Sequence, residues 1–240
     1  MASELDDSSG FNQITVYSSS LRDMNQFNKP GALILVSTNC PHCHTLEKLL
    51  HERMESGSLD SLEIVNVERS PEVAQQYGVR SVPWLQLGEF VFDEALTPTE
   101  LDGWIKELQE GGGKPQYISY LLEHGKLNKA IEWIDSGNAT LKSVVAILCD
   151  PDAKINVRVG VGAILEHFEN TSLIKAVVPD LTALLEKNNS TVKIDACHYL
   201  SLTHSRDAIE PLKRMLNDED QQVRQVAQES IEAIMDDEEL

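Results

Sequence analysis

No stretch of this 240-residue chain stays apolar for the roughly 20 residues that a bilayer-spanning helix needs. Positive charge is scarce too: 20 lysines and arginines stand against 39 aspartates and glutamates, a formal net charge of −19. That deficit argues against nucleic acid, whose binders present basic patches, and against an anionic membrane surface. It favours solubility or a basic partner. The chain also lacks the basic-then-apolar opening of a secretory signal, beginning instead Met1-Ala2-Ser3-Glu4-Leu5-Asp6-Asp7. A cytoplasmic location is the resulting expectation. Cysteine is sparse, at four residues, and no second Cys-x-x-Cys or His-x-x-x-His pair follows the first at zinc-finger spacing. His42 or His44 could supply ligands beside the one pair, but a four-ligand zinc site would need more, so no metal is expected.

What is present centres on Asn39-Cys40-Pro41-His42-Cys43-His44. Before it runs Gly31-Ala32-Leu33-Ile34-Leu35-Val36-Ser37-Thr38, short, continuous and apolar, the pattern of a buried strand. After it, Leu46, Leu49 and Leu50 recur at helical spacing, with Glu47, Lys48 and Glu52 left for solvent. The cysteines therefore fall at a strand-to-helix turn, with Cys40 at the helix N-terminus and Pro41 at the first helical position, where a missing N–H costs nothing. A helix N-terminus offers unpaired N–H donors and roughly half a positive charge, which favours thiolate over thiol. A protonated His42 would push the same way. Two intervening residues keep both sulfurs within reach, so Cys40 is expected as the exposed nucleophile and Cys43 as the more buried resolving thiol. His44 either tunes Cys43 or is an ordinary surface or core histidine.

In chain order, residues 1–10 are expected to be disordered, Ile14-Thr15-Val16-Tyr17 to form a strand, and 21–27 a short helix ending before Pro30. Residues 62–67 alternate as a further strand, and 71–78 form a helix with proline early and Gly78 at its end. Strands at 84–87 and 90–92 follow. Thr97-Pro98-Thr99-Glu100 opens a last helix like a capping box, with Leu101, Trp104, Ile105 and Leu108 as its apolar positions.

This order, with Cys40-Pro41-His42-Cys43 after the second strand and Tyr77-Gly78-Val79-Arg80-Ser81-Val82-Pro83 some forty residues on, resembles the thioredoxin family over roughly residues 11–110. The resemblance implies an α/β thioredoxin fold and a cis Pro83 packed against the Cys40–Cys43 disulfide. It further implies that the backbone at Val82 pairs with an extended substrate segment. Trp84 then either lines the substrate groove or packs in the core as a strand residue. The departures are specific. Thioredoxins carry Trp-Cys-Gly-Pro-Cys and bury an aspartate on the preceding strand, where this chain has Ile34 or Leu35. Cys-Pro-His-Cys is the motif of DsbA-type disulfide oxidants, but their inserted helical domain has no room between Cys43 and Pro83. The paired glycines of glutaredoxin-like proteins are absent after Pro83.

Gly111-Gly112-Gly113-Lys114-Pro115 reads as a flexible linker by composition, spanning 111–116. From 117 to 240 the pattern is helical. Residues 117–123 and 127–135 form a helical pair around Gly125, and the passage from Leu121 to Ala130 resembles a single tetratricopeptide half-repeat. Then three segments align: Asn156-Val157-Arg158, Thr191-Val192-Lys193 and Gln222-Val223-Arg224, each after an Asp/Asn-rich turn and a preceding helix, at spacings of 31 to 35 residues. Valine followed by a basic residue after a polar turn resembles HEAT repeats of the short bacterial kind. Such helix pairs bury their faces against one another and form an all-α, curved stack with a binding surface. The valine is expected to anchor each second helix and the basic side chain to cap or bridge the neighbouring turn. Cys149 and Cys197 lie in apolar runs and are expected as buried structural thiols. The acidic end at 236–239 is expected to be solvated and frayed.

The functional expectation is a thiol–disulfide oxidoreductase acting on protein thiols or disulfides through Cys40 and Cys43. Pro41 and His42 would tune the pair, Val82, Pro83 and Trp84 would bind substrate, and the helical repeats would recruit a protein partner. No cofactor beyond the redox-active cysteine pair is expected. The alternative is a redox-responsive adaptor in which the cysteine pair only modulates binding by the repeats.

Overall fold

The structure is a computed structural model that describes residues 14–18, 29–150 and 152–236. The expectations for 1–10, 21–27 and 237–239 fall outside these residues. The chain divides into two compact units, Met1–Gly113 and Lys114–Leu240.

In the first unit, five strands form one sheet in the order β1-β3-β2-β4-β5. They are β1 (Ile14–Ser18), β2 (Gly31–Val36), β3 (Ser61–Asn66), β4 (Trp84–Leu87) and β5 (Phe90–Phe92). β2 runs parallel to β3, Ile34 beside Ile64, while β1 is antiparallel to β3, β4 to β2 and β5 to β4. Helix α1 (Pro41–Glu55) is the crossover that a parallel β2–β3 pair requires. Strand alternation puts Ile34, Leu62, Leu85, Leu87, Phe90 and Phe92 on one face, all fully buried. Cys43, Leu46 and Leu50 of α1 are buried with them. Helix α3 (Pro98–Gln109) sets Trp104 5.5 Å from Phe90 and 5.4 Å from Phe92. The capping box is present: the Thr97 side chain accepts from the Glu100 N–H, and Glu100 accepts from Thr97 N–H at 2.8 Å. On the opposite face, Leu35, Val65 and Trp84 form a core against Val73 and Ala74 of α2 (Pro71–Gln76). The Arg53 guanidinium forks onto Asp102 at 2.6 and 3.0 Å, joining α1 to α3.

The first unit ends at Gly113, inside the 111–116 segment expected as a linker. Gly113 has φ +90, and a Cβ there would stand 3.0 Å from the Phe90 ring and the Glu107 side chain. The next helix, α4 (Lys114–Glu123), starts three residues before the expected 117, because a proline at its second residue gives up no intrahelical hydrogen bond.

In the second unit α4 pairs with α5 (Leu127–Asp135). Three further pairs follow: α6 (Leu141–Ile147) with α7 (Ile155–His167), α9 (Val178–Leu184) with α10 (Ser190–Ser201), and α11 (Ile209–Met215) with α12 (Gln221–Asp236). Two pieces were not expected from the sequence, a single-turn α8 (Ser172–Lys175) and a 3-10 turn over Arg206–Ala208. Each is short enough to carry no periodicity. Each begins with a side-chain cap, Thr171 accepting from Ile174 N–H and Ser205 from Asp207 N–H.

The aligned valines are the buried anchors, with Val157 and Val192 at 2 % exposure and Val223 at 0 %. Two of the aligned basic residues, Arg158 and Lys193, bond forward in the chain, and Arg224 bonds back to the turn before its own helix. Lys193 donates to Asp218 in the turn before α12 at 2.7 Å, and Arg224 donates to the carbonyls of Asp218 and Glu219 at 2.7 and 3.0 Å. Arg158 differs from the expected turn contact: it pairs with Asp195, on helix α10 itself.

Candidate active site

Cys40 is the N-cap residue of α1, extended at φ −96 and ψ 106, with Pro41 at the first helical position. Its Sγ accepts the N–H of Cys43 at 3.1 Å, so the sulfur already takes one of the orphan donors of the helix start. No acidic side chain lies in the first turn of α1 to oppose a thiolate there. Cys40 and Cys43 sit at disulfide-bonding distance, their Cα atoms 5.2 Å apart. The two sulfurs are unequal in access. Cys40 is half-buried, whereas Cys43 is 0 % exposed, because it lies on the helix face that continues through Leu46 and Leu50.

The Val82–Pro83 bond is cis, and the carbonyl oxygen of Val82 lies 3.9 Å from Cys40 Sγ. A turn forty residues downstream is thereby brought against the cysteine pair. Pro83 is buried and Val82 half-buried, while Pro41, His42, Arg80 and Ser81 are exposed around them. Trp84 is only 7 % exposed and packs with Leu35 and Val65, so its indole belongs to the core rather than to the open surface. The aromatic ring presented to solvent nearby is Tyr77, 42 % exposed, with its centroid 5.2 Å from that of Trp84. His44 is exposed, its Nε2 donating to the Thr38 carbonyl at 3.2 Å. Ile34 and Leu35 are both fully buried, so β2 carries no carboxylate beneath the pair.

A family model of the thioredoxin domain matches residues 32–106, and one of HEAT repeats matches residues 141–232. The chain carries a thioredoxin domain followed by HEAT repeats. Among curated proteins none matches the chain. The thioredoxin match spans α1, the cis Pro83 turn and most of α3, and so contains every residue of the cysteine site. The HEAT match spans the last three helix pairs and omits α4 and α5.

The sequence pattern missed three residues around the thioredoxin-domain site: Thr38, Asn66 and Glu68. Asn66 Oδ1 accepts from Glu68 N–H at 2.9 Å, and Asn66 Nδ2 donates to Thr38 Oγ1 at 3.2 Å. The Glu68 carboxylate accepts from both the N–H and the hydroxyl of Thr38. The Asn66-Val67-Glu68 spelling suits a side-chain-capped turn after a strand. Its partner, 28 to 30 residues earlier, is decided only by the parallel pairing of β2 with β3.

The remaining cysteines separate. Cys197 is buried in α10, and burial, together with the nearby Asp218 carboxylate, pushes its thiol up to about 12. Cys149, expected to be buried, is exposed. The helix α6 stops at Ile147 with Leu148 as its cap, so Cys149 leaves the apolar helical phase that the preceding residues keep.

Proposed function

We propose that this protein is a thiol–disulfide oxidoreductase acting on protein disulfides or dithiols. The observation that supports it is the placement of Cys40: half-exposed, capping a helix with its sulfur on the Cys43 N–H at 3.1 Å and beside the Val82 carbonyl at 3.9 Å. A sulfur so placed can be attacked from outside, and as a thiolate it is stabilised by donors already aimed at it. In the reducing direction, Cys40 thiolate attacks one sulfur of a partner disulfide, forming a mixed disulfide and releasing the partner's other sulfur as thiolate. Cys43 thiolate then attacks Cys40 Sγ, and the second partner sulfur leaves. Two electrons pass to the partner, whose thiolates take up the two protons that Cys40 and Cys43 have lost, and the Cys40–Cys43 disulfide remains. A dithiol donor must reduce that disulfide for a further cycle; the oxidising direction is the same sequence reversed. Val82 and Pro83 hold the partner segment, Pro41 and His42 border the sulfur, and the HEAT repeats recruit the protein that carries the target.

The test is an equilibrium titration of the pair in glutathione redox buffer, coupled to turnover of a protein disulfide with excess dithiothreitol. A potential near about −270 mV assigns a reductant, and one near about −120 mV assigns an oxidant. Many turnovers, lost by more than 100-fold in Cys40→Ser, are expected. A single stoichiometric exchange with no further cycles would favour the redox-responsive adaptor. Failure to form an intramolecular disulfide at any poise would overturn the oxidoreductase reading and leave partner binding by the repeats or a metal site as the alternatives.

A further inference from the structure

We infer that Glu68 is a positioning residue for Cys40, acting through Thr38. This rests on the oxidoreductase reading of the cysteine pair. Cys40 is reached from β2 through Ser37, Thr38 and Asn39, and neither Thr38 nor Asn39 is buried. A cleft of about 260 Å³ lined by Ser37, Thr38, His44 and Asn66 opens along the flank of this loop. Packing therefore does not hold the approach to the sulfur; hydrogen bonds do. Thr38 has its N–H and hydroxyl on the Glu68 carboxylate, its Oγ1 on Asn66 Nδ2 at 3.2 Å, and its carbonyl on His44 Nε2 at 3.2 Å. Every polar group of Thr38 is engaged, by β3's end on one side and by α1 on the other, with Cys40 between.

The consequence is chemical. The stabilisation of a thiolate at an N-cap depends on the sulfur meeting the N–H groups of the first turn, and those donors act over hydrogen-bond distances. A loop free to swing would carry Cys40 away from the Cys43 N–H and return its thiol toward ordinary acidity. Glu68 also places a negative charge on this loop, which on its own disfavours a thiolate. The geometric and electrostatic effects of Glu68 thus have opposite signs, and experiment can tell them apart.

The experiment uses the reduced full chain in a Cys43→Ser, Cys149→Ser background, so that Cys40 is the exposed thiol. The rate of iodoacetamide alkylation at Cys40 is followed against pH, with circular dichroism confirming the fold of each variant. Glu68→Ala and Thr38→Val are expected to slow alkylation at neutral pH about tenfold and to move the midpoint of the pH profile upward. Glu68→Gln keeps an acceptor for the Thr38 N–H, and Thr38→Ser keeps the hydroxyl; both are expected within about threefold of the parent. Faster alkylation in both Glu68→Ala and Glu68→Gln would show that only the charge acts and would overturn the inference. A lowered melting temperature with unchanged midpoints would reduce Glu68 to a structural role and overturn it equally. Turnover of a protein disulfide by the unmodified chain is measured in parallel. Shifted midpoints without turnover would sink the oxidoreductase reading and leave the positioning intact; turnover with unshifted midpoints would do the reverse.

Discussion

At the scale of single residues, the four cysteines differ because each meets a different backbone context. Cys40 and Cys43 share one helix turn, yet one caps it and the other faces the core. In the reduced chain, limiting alkylation is therefore expected to label Cys40 and spare Cys43, a ratio that peptide mass spectrometry reads directly. For the other two, exposure separates a reactive thiol from an inert one. Titration of the native, oxidised protein with a thiol reagent should count one thiol, at Cys149, and a second only after unfolding exposes Cys197. Two fast thiols in the native state would contradict the burial of Cys197 in α10. Of these placements, the cysteine pair was legible from the sequence because everything that defines it lies within fifteen residues. Cys149 was misread because apolarity continues one residue past the point where the helix stops, and periodicity alone does not mark that end.

At the scale of elements, the contacts between successive HEAT helices carry charges that set a pH dependence. The Lys193–Asp218 pair is well sheltered, its side chains 18 % and 7 % exposed. The hydrogen bond from Lys193 holds the Asp218 carboxyl below the usual carboxylate range, and the same bond holds Lys193 above the usual lysine range. A lowered carboxylate contributes stability above its unfolded value that is lost as pH falls through its folded one; a raised lysine contributes stability that is lost as pH rises through its own. The pair thus stabilises across the neutral range and weakens in strong acid and strong base. Asp218→Asn leaves a half-buried lysine without its counter-charge and is expected to cost about 1.5 kcal/mol at pH 7 by chemical denaturation. That cost should shrink below about pH 4, where the unfolded chain's carboxyl takes up a proton while the folded one still resists it. An unchanged cost at pH 3 would refute the assignment. Asp195 behaves differently: burial pushes its carboxyl up in spite of Arg158 beside it. In the thioredoxin domain, Thr97→Ala removes the capping box of α3 and is expected to lower stability by about 1 kcal/mol. These devices differ in legibility. The capping box is a four-residue pattern and was visible in the sequence, whereas the partner of Arg158 lies 37 residues away and depends on how α7 and α10 pack.

At the scale of the molecule, two compact units divide at Gly113 and Lys114, each with its own core. Thermal or denaturant unfolding is expected to show two transitions. Reducing the Cys40–Cys43 bond with dithiothreitol should move only the transition of the thioredoxin domain, since both sulfurs lie in it. A single transition that moves as a whole would refute independent units. By itself the sequence determined the order of the strands along the described chain and of its helices apart from α8 and the Arg206–Ala208 turn, the position of Cys40 at a helix start, and the helix-pair period. Each of these is written in contacts a few residues long, where hydrophobic period, proline, glycine and capping residues act directly. Tertiary structure alone decided the rest: that the Val82 carbonyl stands beside Cys40, that Trp84 turns into the core and leaves Tyr77 outside, and that Glu68 takes hold of Thr38. Those contacts join residues far apart in sequence. They exist only because β3 and β4 both pair with β2, and strand pairing is a long-range choice that no local pattern records.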